Sequence, residues 1–89
     1  MERLKVETMP LKLSIDSDPY VRFVGRTFVP VIDVTNVKTR RSYFLIISPV
    51  SIAQQIKKWA DEEGGILHLE FWIHKSSDDK FAKYEVTQA

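Results

Sequence analysis

The sequence has no cysteine and only three glycines in 89 residues. Without cysteine, the chain has no disulfide scaffold, thiolate metal site, iron–sulfur cluster or cysteine nucleophile. The few glycines form no glycine-rich loop of the kind that brings backbone amides close to a phosphate. The longest uninterrupted apolar run, residues 43–47, is far shorter than the roughly 20 residues that cross a bilayer. We therefore expect no cofactor and no membrane partner.

An excess of charge of one sign is also missing. Thirteen Lys and Arg residues face twelve Asp and Glu residues, which gives a formal charge of +1. Hydrophobic residues make up 44% of the chain, enough for one modest core. The charged N-terminus does not resemble a secretory leader, and the absence of cysteine suits a reducing compartment, so we expect a cytoplasmic protein. We predict a single domain over residues 9–89 that follows a flexible tail, residues 1–8.

Apolar and polar residues alternate over most of the chain, which predicts strands. The sequence Asp16–Pro19 separates the first two strands with residues typical of turns. Pro30 lies inside the third strand and predicts an edge, a bulge or a strand start there, because proline cannot donate to a sheet. The predicted strands cover residues 11–15, 20–24, 27–35, 42–48, 67–74 and 81–86.

One stretch alone has helical periodicity. Its apolar residues recur three to four positions apart, and polar residues fill the other face. The spacing predicts one helix over about residues 49–63, with Ser48 as N-cap, Pro49 in the first turn and Gly64 as the C-terminal stop. The apolar stripe consists of Ile52, Ile56, Trp59 and Ala60.

Counting residues 11–15 and 20–24 as one interrupted first strand, the order β-β-β-α-β-β resembles the OB-fold, a small barrel with one helix between its third and fourth strands. We therefore expect a mainly β protein with a five- to six-stranded OB-like barrel over roughly residues 11–87. Gly25 beside the long first strand is similar to the glycine found there in that family. The alternative is another α+β roll with a single helix. The resemblance implies an oligonucleotide-binding sheet face bordered by loops.

The first half of the domain is basic. Residues 20–45 contain five cations and one carboxylate. Arginine matches phosphate geometry and stacks on bases, so this region is a candidate contact for a nucleic-acid backbone. Alternatively, the cations simply solvate a hairpin tip. The candidate residues are Arg22, Arg26, Lys38, Arg40 and Arg41.

Aromatic side chains supply a second candidate surface. Trp72 falls on the polar face of its strand, where a base can stack on it. Alternatively, the helix or the N-terminal tail covers Trp72, or two copies of the chain meet there. Tyr43 and Phe81 are further stacking candidates. The cations near Trp72 and Phe81 are Lys75, Lys80 and Lys83.

The sequence contains no recognisable catalytic or metal-binding motif. His68 and His74 are six residues apart on one predicted strand, about 20 Å, too far to share an ion. Asp16 and Asp18 precede a proline and are more typical of a turn than of a metal site. We therefore expect no enzyme activity, no catalytic residue and no metal.

The function that we predict is binding of single-stranded DNA or RNA with little sequence preference. The alternative is a protein-interaction module or accessory subunit. It would act through an exposed strand edge near Pro30 or the final strand, or by self-association.

Overall fold

A computed structural model describes residues 1–89 and contains seven strands and one helix. Strands hold 43% of the residues, so the prediction of a mainly β protein with a single helix is confirmed. The elements are β1 (Glu2–Arg3), β2 (Leu11–Ile15), β3 (Tyr20–Val24), β4 (Thr27–Asn36), β5 (Ser42–Ile46), α1 (Val50–Glu63), β6 (Glu70–Lys75) and β7 (Tyr84–Gln88).

The strands form one open sheet in the order β1-β5-β4-β2-β6-β7. The long strand β4 has β5 along one edge, and β3 and β2 pair in succession along its other edge. All pairs are antiparallel except β1 with β5. The sheet is not closed by a strand pair, and it has more strands than predicted. Residues 16–19 divide one long run into β2 and β3, while Glu2–Arg3 adds a strand that the sequence did not reveal.

Pro30 is neither at an edge nor at the start of β4, contrary to prediction. It lies between Val21 of β3 and Ile47, whose N–H donates to the Pro30 carbonyl at 3.0 Å. Ile47 lies just beyond the end of β5. Because Pro30 has no N–H, the pairing of β4 with β5 lacks only its last hydrogen bond. Strand β6 begins three residues later than predicted, because His68 has a φ of 68° and breaks the extended backbone.

The helix is close to its prediction. It begins at Val50, with Pro49 as the N-cap, one residue later than expected. It ends at Glu63, and the C-cap Gly64 has a φ of 72° and adopts the left-handed conformation that terminates helices. Ile52, Ile56 and Trp59 are buried as the apolar stripe predicts. This helix has neither the length nor the apolar character needed to cross a membrane.

The core lies between α1 and one face of the sheet. The indole of Trp59 contacts the ring of Phe71 on β6, with centroids 5.5 Å apart. Alternate residues of β2, β4, β5 and β6 complete the core, and the intervening residues form the opposite face of the sheet, which we call the outer face. The fully buried members include Leu13, Ile15, Ile32, Val34, Phe71 and Ile73.

Residues 1–8, which we predicted as a flexible tail, contact the domain through two apolar side chains. Leu4 and Val6 are buried in the core. The Leu4 N–H donates to the Phe44 carbonyl at 2.9 Å, and the Glu7 carbonyl accepts from the Lys75 N–H at 2.8 Å. The charged residues on both sides of Leu4 and Val6 obscured this short apolar alternation in the sequence.

Candidate nucleic-acid interface

Two turns that carry several cations leave the sheet at the same end. The start of β2 pairs with the end of β4 on one side and with the end of β6 on the other. Residues 37–41 and 76–83 follow β4 and β6, so these two turns lie two strand spacings apart, about 10 Å. We call residues 37–41 and 75–83 the basic end.

The basic end has a high positive charge, although the net charge of the whole chain is only +1. It has six cations and two carboxylates, a formal +4, so the rest of the chain carries a formal −3. The rest includes three consecutive carboxylates at the last turn of α1, residues 61–63. The six cations are Lys38, Arg40, Arg41, Lys75, Lys80 and Lys83.

The turn after β4 is held by Asn36. Its side-chain oxygen accepts from the backbone N–H groups of Lys38 at 2.9 Å and Thr39 at 3.2 Å. Its backbone N–H donates to the Arg41 carbonyl at 2.8 Å. Arg40 has a φ of 65°, a left-handed conformation that favours glycine. The turn therefore places an arginine where the backbone would be less strained with glycine.

The turn between β6 and β7 is held by Asp79. Its carboxylate accepts from the Phe81 N–H at 2.9 Å, and its carbonyl accepts from the Ala82 N–H at 2.9 Å. The Phe81 ring is exposed, and the Lys80 ammonium lies 5.0 Å from its centroid. One of the two carboxylates of the basic end thus shapes the turn that presents a ring beside a cation.

Trp72 lies on the outer face of β6, at the base of both turns. Its side chain is 41% exposed, and its neighbours across the strands are Lys12 of β2 and Thr87 of β7. The Lys12 ammonium lies 6.0 Å from the Trp72 ring and 3.5 Å from a Glu70 carboxylate oxygen. Neither α1 nor the N-terminal segment covers Trp72, because both pack on the core side of the sheet.

Three predicted site residues lie away from the basic end and Trp72. Arg22 lies on the outer face of β3, with its guanidinium 4.1 Å from the centroid of the Phe44 ring. Arg26 is in the turn between β3 and β4, at the opposite end of the sheet from the basic end. Tyr43 packs against the core, so its ring is not the open stacking surface that we predicted.

Carboxylates also interrupt the outer face between Arg22 and Trp72. The Tyr20 hydroxyl donates to Asp33 at 2.6 Å, and the Thr35 hydroxyl donates to Asp16. The hydrogen bond to Asp33, with a smaller contribution from burial, raises the pKa of Tyr20 above its usual 10.0. Six of the eight candidate cations therefore lie at one end of the sheet, and the eight do not form a continuous positive trough across it.

Sequence reasoning missed Lys12. The alternation of Leu11, Lys12 and Leu13 placed this lysine on a polar strand face, but only the register of β2 with β6 places it beside Trp72. A second missed feature is the exposed apolar side of the β3–β4 hairpin, which includes Phe23 and Phe28. Alternating β-branched and aromatic residues predicted these strands, but the sequence did not reveal that one side of them has no cover.

Two open cavities on the surface adjoin α1. One lies between the N-terminal segment, β5 and α1, and the other lies between α1 and the β3–β4 hairpin. The second is lined mainly by small and aliphatic residues, including Pro30, Ile47, Ala53, Ile56 and Ile66. No three His, Asp or Glu side chains lie close enough together to hold a metal ion.

Comparisons of this chain with protein-family models, with curated proteins and with solved structures gave no match.

Proposed function

We propose that this chain is a small OB-like domain that binds single-stranded nucleic acid at its basic end, with little sequence preference. The observation that carries the proposal is the position of Trp72. It is an exposed indole on the outer face of the sheet, at the base of two cationic turns.

The two kinds of side chain at the basic end match the two parts of a nucleic-acid strand. Lysine and arginine neutralise phosphates, and an aromatic ring offers a surface on which any base can stack. Phe81 in the basic end and Trp72 at its base are the two rings available, each with a lysine nearby. Stacking does not distinguish among bases, so this set of groups supports binding without strong sequence preference.

The backbone of Arg40 also supports the proposal. A left-handed conformation in a residue other than glycine has an energetic cost, and such residues cluster at functional sites. Here the strained backbone is at the tip of a turn, and the residue that carries the strain is a cation of the basic end. This argument applies to Arg40 alone and does not extend to Arg22 or Arg26.

The pairing of the strands supports an OB-like architecture. If β2 and β3 count as one interrupted strand, it pairs with β4 and β6, β4 also pairs with β5, and β6 also pairs with β7. The sheet is not closed by a strand pair, but residues 4–7 bond to Phe44 of β5 at one end and to Lys75 of β6 at the other. A location in the cytoplasm belongs to the same proposal, since a cysteine-free chain suits a reducing compartment.

The test is titration of a fluorescent oligo-dT or oligo-rU strand at two salt concentrations. Because about five phosphate contacts give a salt slope near −3.5, affinity should fall roughly 100-fold between about 50 and 200 mM salt. The variant K38Q/R40Q/R41Q should weaken binding at least about tenfold more than R26Q/K57Q/K58Q. The second variant loses the same three charges outside the basic end.

The contribution of stacking is tested at Trp72. Trp72→Ala should weaken binding by about tenfold, and Trp72→Phe should restore most of the loss because it keeps a ring. Absence of binding at low salt would refute the proposal. Equal weakening by the two triple variants would also refute it, because binding would then depend on net charge and not on the basic end.

A further inference from the structure

The β3–β4 hairpin exposes an apolar surface at the end of the sheet opposite the basic end. Phe23 and Phe28 lie opposite each other with ring centroids 5.0 Å apart, yet they are 60% and 70% exposed. Val21, beside them on the same face of β3, is 66% exposed. Clustered apolar side chains at the surface are typical of interaction sites.

Strand β3 also has a free edge. It pairs with β4 alone. The Pro30 carbonyl points to Ile47 on the far side of β4, so Val21, opposite Pro30, directs its own N–H and C=O away from β4. The same alternation directs the N–H and C=O of Phe23 outward. The edge has no lysine and no bulge, two features that commonly block pairing with another chain.

We infer that a second copy of this chain pairs antiparallel with β3, with Val21 of each copy on the two-fold axis. In this register the two Val21 residues exchange two hydrogen bonds, and each Phe23 N–H donates to the Pro19 carbonyl of the other copy. The side chains of Pro19, Val21 and Phe23 then form one apolar strip across both copies. The contact is isologous, so it closes as a dimer.

Charge selects this register. It places Arg22 of one copy opposite Tyr20 of the other on the outer face, where the Tyr20 hydroxyl already binds the Asp33 carboxylate at 2.6 Å. The Arg22 guanidinium itself stays on the Phe44 ring of its own copy, so this register places no two cations opposite each other. The register that pairs Val21 with Phe23 would place the two Arg22 residues directly opposite each other, an unfavourable arrangement of like charges.

The dimer is a property beyond the proposed function. The basic end lies at the other end of the sheet and stays free in both copies, so dimer formation needs no nucleic acid. The dimer and the nucleic-acid binding can be refuted independently, because the first is tested by the mass of the free protein and the second by oligonucleotide titration.

The first test is sedimentation velocity of the free protein up to about 1 mM. We expect a concentration-dependent shift to twice the monomer mass, and Val21→Lys should weaken the association about tenfold or more. Val50→Lys is the matched control, since Val50 is a valine on α1 that is 69% exposed, close to the 66% of Val21. A monomer throughout the range, or a dimer that Val21→Lys leaves intact, would overturn the inference.

The second test is a disulfide cross-link. Because the chain has no cysteine, any disulfide must join the introduced residues. Val21→Cys should oxidise to a covalent dimer, because residues exchanging hydrogen bonds across antiparallel strands have Cα atoms about 5.5 Å apart, within disulfide range. Val50→Cys should cross-link much more slowly. Equal rates for the two variants would contradict the two-fold axis at Val21, as would dimers that Trp72→Ala abolishes but Val21→Lys does not.

Discussion

The basic end and the β3–β4 hairpin are opposite ends of the same sheet, and both combine aromatic and basic residues. Phe81 in the basic end lies near Lys80, and Trp72 at its base lies near Lys12. In the hairpin, Phe23 and Phe28 lie against each other with no cation over either ring. We propose that the first arrangement binds a nucleic-acid strand and that the second packs against another apolar surface.

The contrast extends to the arginines of the two regions. Arg22 lies on the ring of Phe44 beside Tyr20 and Asp33, so its charge has partners within the fold. Arg40 stands on a left-handed backbone at a turn tip and is exposed. The same residue type therefore contributes to packing in one region and is available to a ligand in the other, and its neighbours make the difference.

The largest expected effect tests the hydrophobic core that supports both ends of the sheet. Trp59→Ala removes a fully buried indole that packs on Phe71, so it should lower the free energy of unfolding by about 3–5 kcal/mol. Urea unfolding followed by circular dichroism measures the loss. Trp72→Ala, the same substitution at an exposed site, should cost less than about 1 kcal/mol. Similar losses for the two variants would contradict the core that we describe.

A smaller effect tests the strain at the basic end. Arg40→Gly should raise the free energy of unfolding by about 0.5–1 kcal/mol, because glycine adopts a φ of 65° without penalty. The same variant should bind oligonucleotide several-fold more weakly, because one phosphate contact is lost. Arg41→Gly removes an equal charge without relieving strain and serves as the control. Equal stability changes for the two variants would argue against strain at Arg40.

The smallest effect tests the hydrogen bond between Tyr20 and Asp33 beside the β3–β4 hairpin. The pKa of Tyr20 is raised, so the folded chain holds this proton more tightly than the unfolded chain does. The resulting stability is present below pH 10 and is lost as the pH rises through the raised pKa. The free energy of unfolding of Tyr20→Phe should therefore fall less than that of the wild type as the pH rises above 10.0. Tyr84→Phe, which keeps the Tyr20–Asp33 bond, should retain the wild-type slope.

The fold class and the single helix were predictable because they depend on local periodicity. The spacing of Ile52, Ile56 and Trp59 predicts the buried face of α1, and the alternation around Phe71 and Ile73 predicts which side of β6 is buried. Residues 1–8 escaped this reasoning because a two-residue strand and two isolated apolar side chains give too short a pattern. The sequence also could not show that the sheet stays open, since closure depends on pairing between distant segments.

The candidate site was only partly predictable. The exposed side of Trp72 and the charge of the two turns could be predicted from alternation and composition. Tyr43 could not be assigned to a face, because Tyr43 and Phe44 are adjacent aromatics on a strand with apolar residues on both sides. The stacking of Arg22 on Phe44 joins residues 22 positions apart in the chain, a contact that no local pattern reveals.

The sequence by itself determined which segments are strands or helix and which side of most of them is apolar, because these properties depend on the spacing of neighbouring residues. The tertiary structure alone decided that the turns 37–41 and 76–83 share one end of the sheet, that Lys12 accompanies Trp72, and that β3 keeps a free edge. Each of these depends on the register between segments far apart in the chain. Register is set by the packing of the whole core, and that information is not present in any one segment.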